Sequence, residues 1–119
     1  MAQPNIVGVT TIRGNTAVLN VSTIAANVVA NPANSNDVFK INTLMIANMD
    51  GTTATDVNVS FFRTGVEFKI AHTISVPADA TLVVISKDTS IYLEESDYIR
   101  ISASANGRLH AICSYEEIS

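Results

Sequence analysis

Charge is what this sequence has least of. Asp, Glu, Lys and Arg make up 15% of its 119 residues, against about 25% in ordinary soluble domains. Hydrophobic residues reach 47%. A small domain has a large surface for its volume, so one short of charge covers much of that surface with small polar and apolar groups. Such surface is often buried against another chain, and the composition therefore predicts a homo-oligomer. The alternative is a monomer with a surface rich in Ser, Thr and Asn. Seven basic against eleven acidic residues give a net charge of −4, with no basic run. Nucleic-acid binding needs clustered Lys and Arg to neutralise phosphates, so the balance argues against that class of partner.

Other absences narrow the field further. Trp is missing, and Tyr92, Tyr98 and Tyr115 are the only tyrosines, a thin basis for a sugar-binding platform. Cys113 stands alone and can form no internal disulfide, so stability does not rely on an oxidising compartment. No apolar run approaches the about 20 residues of a membrane helix. Residues 1–5 lack the charged and apolar regions of a signal peptide. Synthesis in a cytoplasm, with no membrane partner, is expected.

What the chain has in abundance is Val, Ile and Thr. Branching at Cβ restricts χ1 and suits a pleated surface, which favours strands over helices. Ile99, Ile101 and Ala103 alternate with polar neighbours, and Leu109, Ala111, Cys113 and Tyr115 repeat the pattern. The intervening Asn106-Gly107 tolerates positive φ at both positions, which predicts a type I′ hairpin over Asp97–Tyr115.

Further strands are expected over Ile6–Ile12 and Ala17–Val21, with Gly14-Asn15 as their turn, and over the extended stretch Ser22–Ala30. Residues 31–37 read as a loop. Val38–Asn48 is apolar at both parities, which predicts burial on both faces or a bulge that switches faces. Val57, Val59 and Phe61 form a clean half-buried strand. Thr64-Gly65 turns the chain into Val66, Phe68, Ile70, Ile74 and Val76, one inward phase in two strands bent near His72. Short strands over Thr81–Ser86 and Ile91–Leu93 precede the hairpin. About nine short strands with a turn every ten residues or so predict an all-β fold. The expected form is an antiparallel two-sheet β-sandwich, jelly-roll or immunoglobulin-like, preferred over a closed barrel. Residues 1–119 read as one domain. Within it, residues 1–36 carry Arg13 as their one charge and are expected to pair with neighbouring subunits. The plainer alternative makes Ile6–Val21 ordinary strands of an isolated sandwich.

Candidate chemistry is sparse. No Gly-x-Ser-x-Gly elbow or phosphate-cradling glycine loop is present. His72 falls in an inward phase and reads as a packed histidine, whereas His110 falls on a polar face. Cys113 reads as a small apolar core residue. Glu94, Glu95 and Asp97 are the best candidate site, since three carboxylates within four residues could offer oxygens to Ca²⁺. An acidic turn before a strand is the simpler reading, and Asp50-Gly51 likewise reads as turn chemistry. No catalytic residue, cofactor or metal ligand is assigned, and an enzyme is not expected.

From Val38 onward the chain resembles a family of small virion proteins of tailed bacteriophages. The resemblance rests on Phe39-Lys40-Ile41-Asn42 leading into Ile46-Ala47-Asn48 and Asp50-Gly51, and on the run from Ile74-Ser75-Val76-Pro77 to Val84. Ile91-Tyr92-Leu93-Glu94-Glu95 and Ser114-Tyr115-Glu116-Glu117 complete it. It implies a β-sandwich that decorates or cements the capsid, or sits at the head, neck or tail. The implied partners are other virion proteins and further copies of the chain, a trimer by analogy with capsid decorations. Where the family pattern has Glu-Gly-Asp, this chain has Glu95-Ser96-Asp97. Serine there argues against a tight positive-φ turn and leaves the strand order unchanged. The alternative role is a tail- or fibre-associated adhesion module that binds a host glycan.

Overall fold

The computed structural model describes residues 11–119. In chain order the strands are β1 (Ile12–Val21), β2 (Ala26–Ala30), β3 (Val38–Asn48), β4 (Thr55–Arg63) and β5 (Val66–Val76). They continue as β6 (Thr81–Ile85), β7 (Ile91–Leu93), β8 (Tyr98–Ala103) and β9 (Leu109–Ile118). Sheet A has the order β1-β9-β3-β6, with β7 also on β3, and sheet B has the order β2-β8-β4-β5. All pairs are antiparallel and nested. β1 pairs with β9, β2 with β8, β3 with β6 and β7, and β4 with β5. The chain is thus one long ribbon, folded back on itself and rolled across two sheets. This is the jelly-roll form of the sandwich, not the immunoglobulin-like one.

Alternation decides what each strand buries. Val57 and Val59 from β4, Ile99 and Ile101 from β8, and Leu109, Ala111 and Cys113 from β9 are all buried in one core between the sheets. β3 changes phase, the second of the two arrangements that its double parity allows. Phe39 and Ile41 point inward, the register against β9 shifts between Ile41 and Thr43, and Leu44, Ile46 and Asn48 then point inward. A single bulge explains why both parities are apolar.

Pairing of the last two strands differs from expectation. β8 lies in sheet B and β9 in sheet A, so Asp97–Tyr115 is not a hairpin. Residues 104–108 cross from one sheet to the other, and the alternating residues of β8 and β9 meet across the core instead of side by side. Gly107 has φ 74°, but Asn106 stays out of the left-handed region, which rules out type I′. Asn106 instead accepts the Thr23 backbone N–H through Oδ1 at 2.8 Å, tying this loop to the one before β2. The type I′ turn is at Thr64-Gly65, with φ of 51° and 77°, closed by the pair Arg63–Val66. Gly107→Val should still destabilise. An added Cβ meets nothing within 4 Å, so the cost is backbone strain alone, about 1–2 kcal/mol. A denaturation midpoint that does not move would refute it.

Further expectations are corrected. Gly14-Asn15 is no turn, because both residues pair with Glu116 and Tyr115 inside an unbroken β1. The strand expected over Ile6–Ile12 lies, as far as Thr10, outside the described residues. β5 is one strand with its irregularity at the expected place: the register shifts after Val57–Ile74, and Thr73 has φ 51°. Its inward phase is nevertheless poorly covered, and Val66, Phe68 and Ile74 are exposed. β5 is an edge strand, with little of sheet A opposite it. Ser96 also departs from expectation, since it does adopt a positive φ, 71°, within a turn closed by Asp97 N–H to Glu94 C=O at 3.0 Å.

The outer faces of the sheets differ in character. Sheet B turns outward Asn58, Ser60, Phe62, Glu67, Lys69 and Arg100. On sheet A the outward row Val18, Ile112, Met45 and Val83 runs in register across β1, β9, β3 and β6.

Candidate functional site

The acidic cluster is built by the turn between β7 and β8 and completed by the end of β4. Asp97 and Glu95 are buried, at 2% and 4% exposure. Arg63, the last residue before the Thr64-Gly65 turn, reaches both carboxylates that face it. Its Nε donates to Asp97 Oδ1 and Oδ2 at 3.1 Å each, and Nη2 donates to Oδ2 at 2.6 Å. Nη2 also lies 2.7 Å from Glu94 Oε2. The Asp97 hydrogen bond is the main reason that the Arg63 pKa rises further, against desolvation. Asp97 Oδ2 accepts the Glu94 backbone N–H as well, at 2.8 Å.

Glu95 points elsewhere. Its Oε2 accepts from Asn36 N–H at 3.1 Å, and its buried Oε1 has no hydrogen-bond partner among the described residues. A cavity of about 540 Å³ lies between residues 63–65 and 94–97. The three carboxylates do not converge on one point, and a guanidinium holds the place where a cation would sit. Among the described residues no group of three or more His, Cys, Asp and Glu is arranged to hold a metal ion.

The other singled-out residues are dispersed. His72 is exposed, not packed, because the bulge beside it rotates the strand; Thr73 N–H is tied at 2.8 Å to Asn58 Oδ1. His110 sits on the outer face of sheet A between Asn20 and Ala47. Asp50 organises its own turn, accepting from Thr52 N–H and Oγ1 at 2.9 Å each. The Thr52 N–H is the chief reason that its carboxyl titrates low.

Cys113 is fully buried, and burial pushes its thiol up to about 12 from 9.0. A raised acid pKa favours the protonated folded state. That contribution is complete below pH 9 and is lost as pH climbs toward 12, because the unfolded thiol ionises first. Wild type should therefore lose more unfolding free energy between pH 8 and pH 10 than Cys113→Ala does. Equal losses in chemical denaturation would count against a buried thiol.

Two buried asparagines, Asn31 and Asn48, fasten the loops at either end of β3. Asn31 Nδ2 donates to Asp37 C=O and Leu93 C=O at 2.9 and 3.0 Å, and Oδ1 accepts from Ser35 Oγ at 2.6 Å. Asn48 Nδ2 donates to Thr53 C=O and Val76 C=O at 3.0 Å each, and Oδ1 accepts Asp50 N–H. The sequence signal was there in Asn48-x-Asp50, an Asx-turn spacing.

On sheet B, Phe62 and Tyr98 stack at 4.9 Å, and the Arg100 guanidinium lies 5.2 and 5.1 Å from their centroids. Lys69 Nζ pairs with Glu67 Oε2 at 3.0 Å. Beside them runs a groove of about 350 Å³. Of the other tyrosines, Tyr92 is exposed and Tyr115 stacks on Phe39 at 5.3 Å. Among the described residues no helix is long and apolar enough to cross a membrane.

No protein-family model and no curated protein sequence matches the chain. Solved structures do. The acid-stable capsid of Helicobacter pylori bacteriophage KHP30 matches with a TM-score of 0.55 and 9% identity, over 93% of this chain and 90% of that one. A disulfide-linked pilus subunit of Bacillus endospore appendages matches at 0.48 and 20% identity, over 92% and 88%. The nucleoplasmin-like N-terminal domain of Drosophila FKBP39 matches at 0.44 and 11%, over 91% and 89%. At such identity the KHP30 likeness establishes the shared fold.

Proposed function

We propose that the chain is a non-enzymatic structural subunit of a tailed-phage particle, acting as capsid decoration or cement or as a head–tail accessory subunit. The observation that carries this reading is the jelly-roll topology, shared over nine-tenths of both chains with a protein of a phage capsid. The carboxylates that could have served chemistry hold turns together instead: Asp97 and Glu94 bind Arg63, and Asp50 binds Thr52. The work of such a subunit is adhesion by a rigid block. Apolar burial supplies roughly 25 cal/mol per Å², offset by the rigid-body freedom lost on docking. Repetition around a particle adds avidity, so no single contact need be strong. Its partners are other virion proteins and further copies of itself, and residues 1–36, with β1 and β2 as sheet edges, are the segment offered to neighbours. Mass spectrometry of purified particles tests the reading: the chain is expected in intact virions. Abundance in infected cells with absence from particles overturns it.

A glycan-binding adhesion module is the second reading, favoured by the Phe62–Tyr98–Arg100 platform beside a polar groove. A glycan array with saturable binding that is lost in Tyr98→Ala would move it ahead.

A further inference from the structure

Sheet A carries an unbroken apolar row on its outer face as well as on its inner one. Its inner face forms the core, yet its outer face carries Val18, Ile112, Met45 and Val83 as direct cross-strand neighbours from one edge to the other. Val18 is 74% exposed, Val83 54% and Ile112 37%. The flanking rows hold no Asp, Glu, Lys or Arg: Thr16, Ser114 and Thr43 on one side, Asn20, His110, Ala47 and Thr81 on the other. A sheet with one solvated face ordinarily alternates apolar and polar residues, and sheet B obeys that rule with Glu67, Lys69 and Arg100 outward. Sheet A departs from it along this one row.

We propose that the outer face of sheet A docks on the same face of a second copy, across a two-fold axis near Ile112 and Met45. Three properties select that occupant. The stripe and its two flanking rows are uncharged, and the next row along holds the opposite charges Lys40 and Glu116 side by side, so two copies meet without like charges in opposition at the centre, whereas a charged partner would bury charge there without a counter-ion. Its stripe is continuous and self-complementary, as an isologous contact requires, and two sheets pack face to face at about 10 Å.

The area also fits. β1, β9 and β3 pair over ten positions, and with the short β6 they present a flat projection of roughly 600 Å² at ordinary strand spacing and rise. This is somewhat below the roughly 800 Å² per partner of a standard interface and suits a contact of micromolar to millimolar strength. The pairing gives a two-fold unit in place of the trimer taken by analogy. It deepens the structural-subunit reading, which it rests on for its purpose but not for its geometry.

The test is sedimentation of the full chain from micromolar to millimolar concentration. Wild type should pass from the 12.7 kDa chain mass to twice that value. Val18→Lys and Ile112→Lys should raise the concentration of half-association at least about tenfold, since each sets like charges face to face. Ser102→Lys, on the outer face of sheet B, should leave it unchanged. Circular dichroism verifies that each variant is folded; Val18, the most exposed of the four, keeps the test valid if Ile112→Lys is not. Ile112→Cys should form a disulfide dimer on oxidation, and Ser102→Cys should not. A wild type that stays monomeric to about 1 mM, or association indifferent to both lysines, overturns the inference. A monomer found in virions would refute this contact and keep the structural role. A dimer absent from virions would do the reverse.

Discussion

Replacing Asp97 with alanine should lower the unfolding free energy by about 2–3 kcal/mol. Removing one partner of a buried ion pair costs about 3–5 kcal/mol when the other is left without water. Here the Arg63 side chain is 42% exposed, so solvent recovers part of that loss. The Asp97 carboxylate also accepts the Glu94 N–H, and an orphaned backbone donor adds about 1 kcal/mol or more. The same turn is tied to the loop before β3 by Asn31 N–H to Asp97 C=O at 2.9 Å and Ser96 N–H to Asn31 C=O at 2.8 Å, so loosening it exposes both. Asp97→Asn keeps an acceptor for Glu94 N–H and should lose less. Urea denaturation decides the matter: a midpoint shift worth under about 0.5 kcal/mol, the usual size for a surface pair, would make the cluster dispensable.

Leu44→Ala should cost still more, about 3–4 kcal/mol, from lost transfer energy plus an unfilled cavity. Leu44 is fully buried and directly follows the bulge in β3, paired with Cys113 on one side and Ile85 on the other. Strands on both flanks restrict collapse around the gap. Its neighbour Met45 faces outward, so Met45→Ala should change monomer stability by far less. The pair of substitutions fixes which parity faces the core after the bulge. Equal losses in denaturation would mean that the phase switch is misplaced.

Periodicity made much of this fold legible. The alternation in β4, β8 and β9 marked core residues that are buried, with Phe61 and Tyr115 only partly so, and the double parity of Val38–Asn48 marked burial on both faces or a bulge, of which the structure has the bulge. It could not say which strands pair. A hairpin and a crossing loop place the same residues inward, so the run from Ile99 to Cys113 fits both, and Asn106-Gly107 tipped the reading toward the hairpin. The difference lies in the backbone of residues 104–108 and in Thr23, a partner 83 positions from Asn106. Distance in sequence also hid the partner of the acidic cluster, because Arg63 precedes Asp97 by 34 residues. His72 was misread because the alternation was carried through a bulge: Ala71, not His72, pairs with the inward Val59, and His72 lies along the outer groove with Glu67 and Lys69.

The place of β9 sets a timetable for the chain. It lies between β1 and β3, and its pairing of Ile12 with Ile118 joins the first and last of the described strands. A ribosome delivers β1 and β3 long before the strand that separates them. Until β9 emerges, each presents an unpaired edge toward the gap, open to wrong partners. Sheet B can assemble earlier, since β2, β4, β5 and β8 all precede β9. Closing the outermost pair last, across so long a stretch of chain, makes maturation slow. A nascent chain stalled before Leu109 would carry a complete sheet B and half a core, and it would need shelter until release.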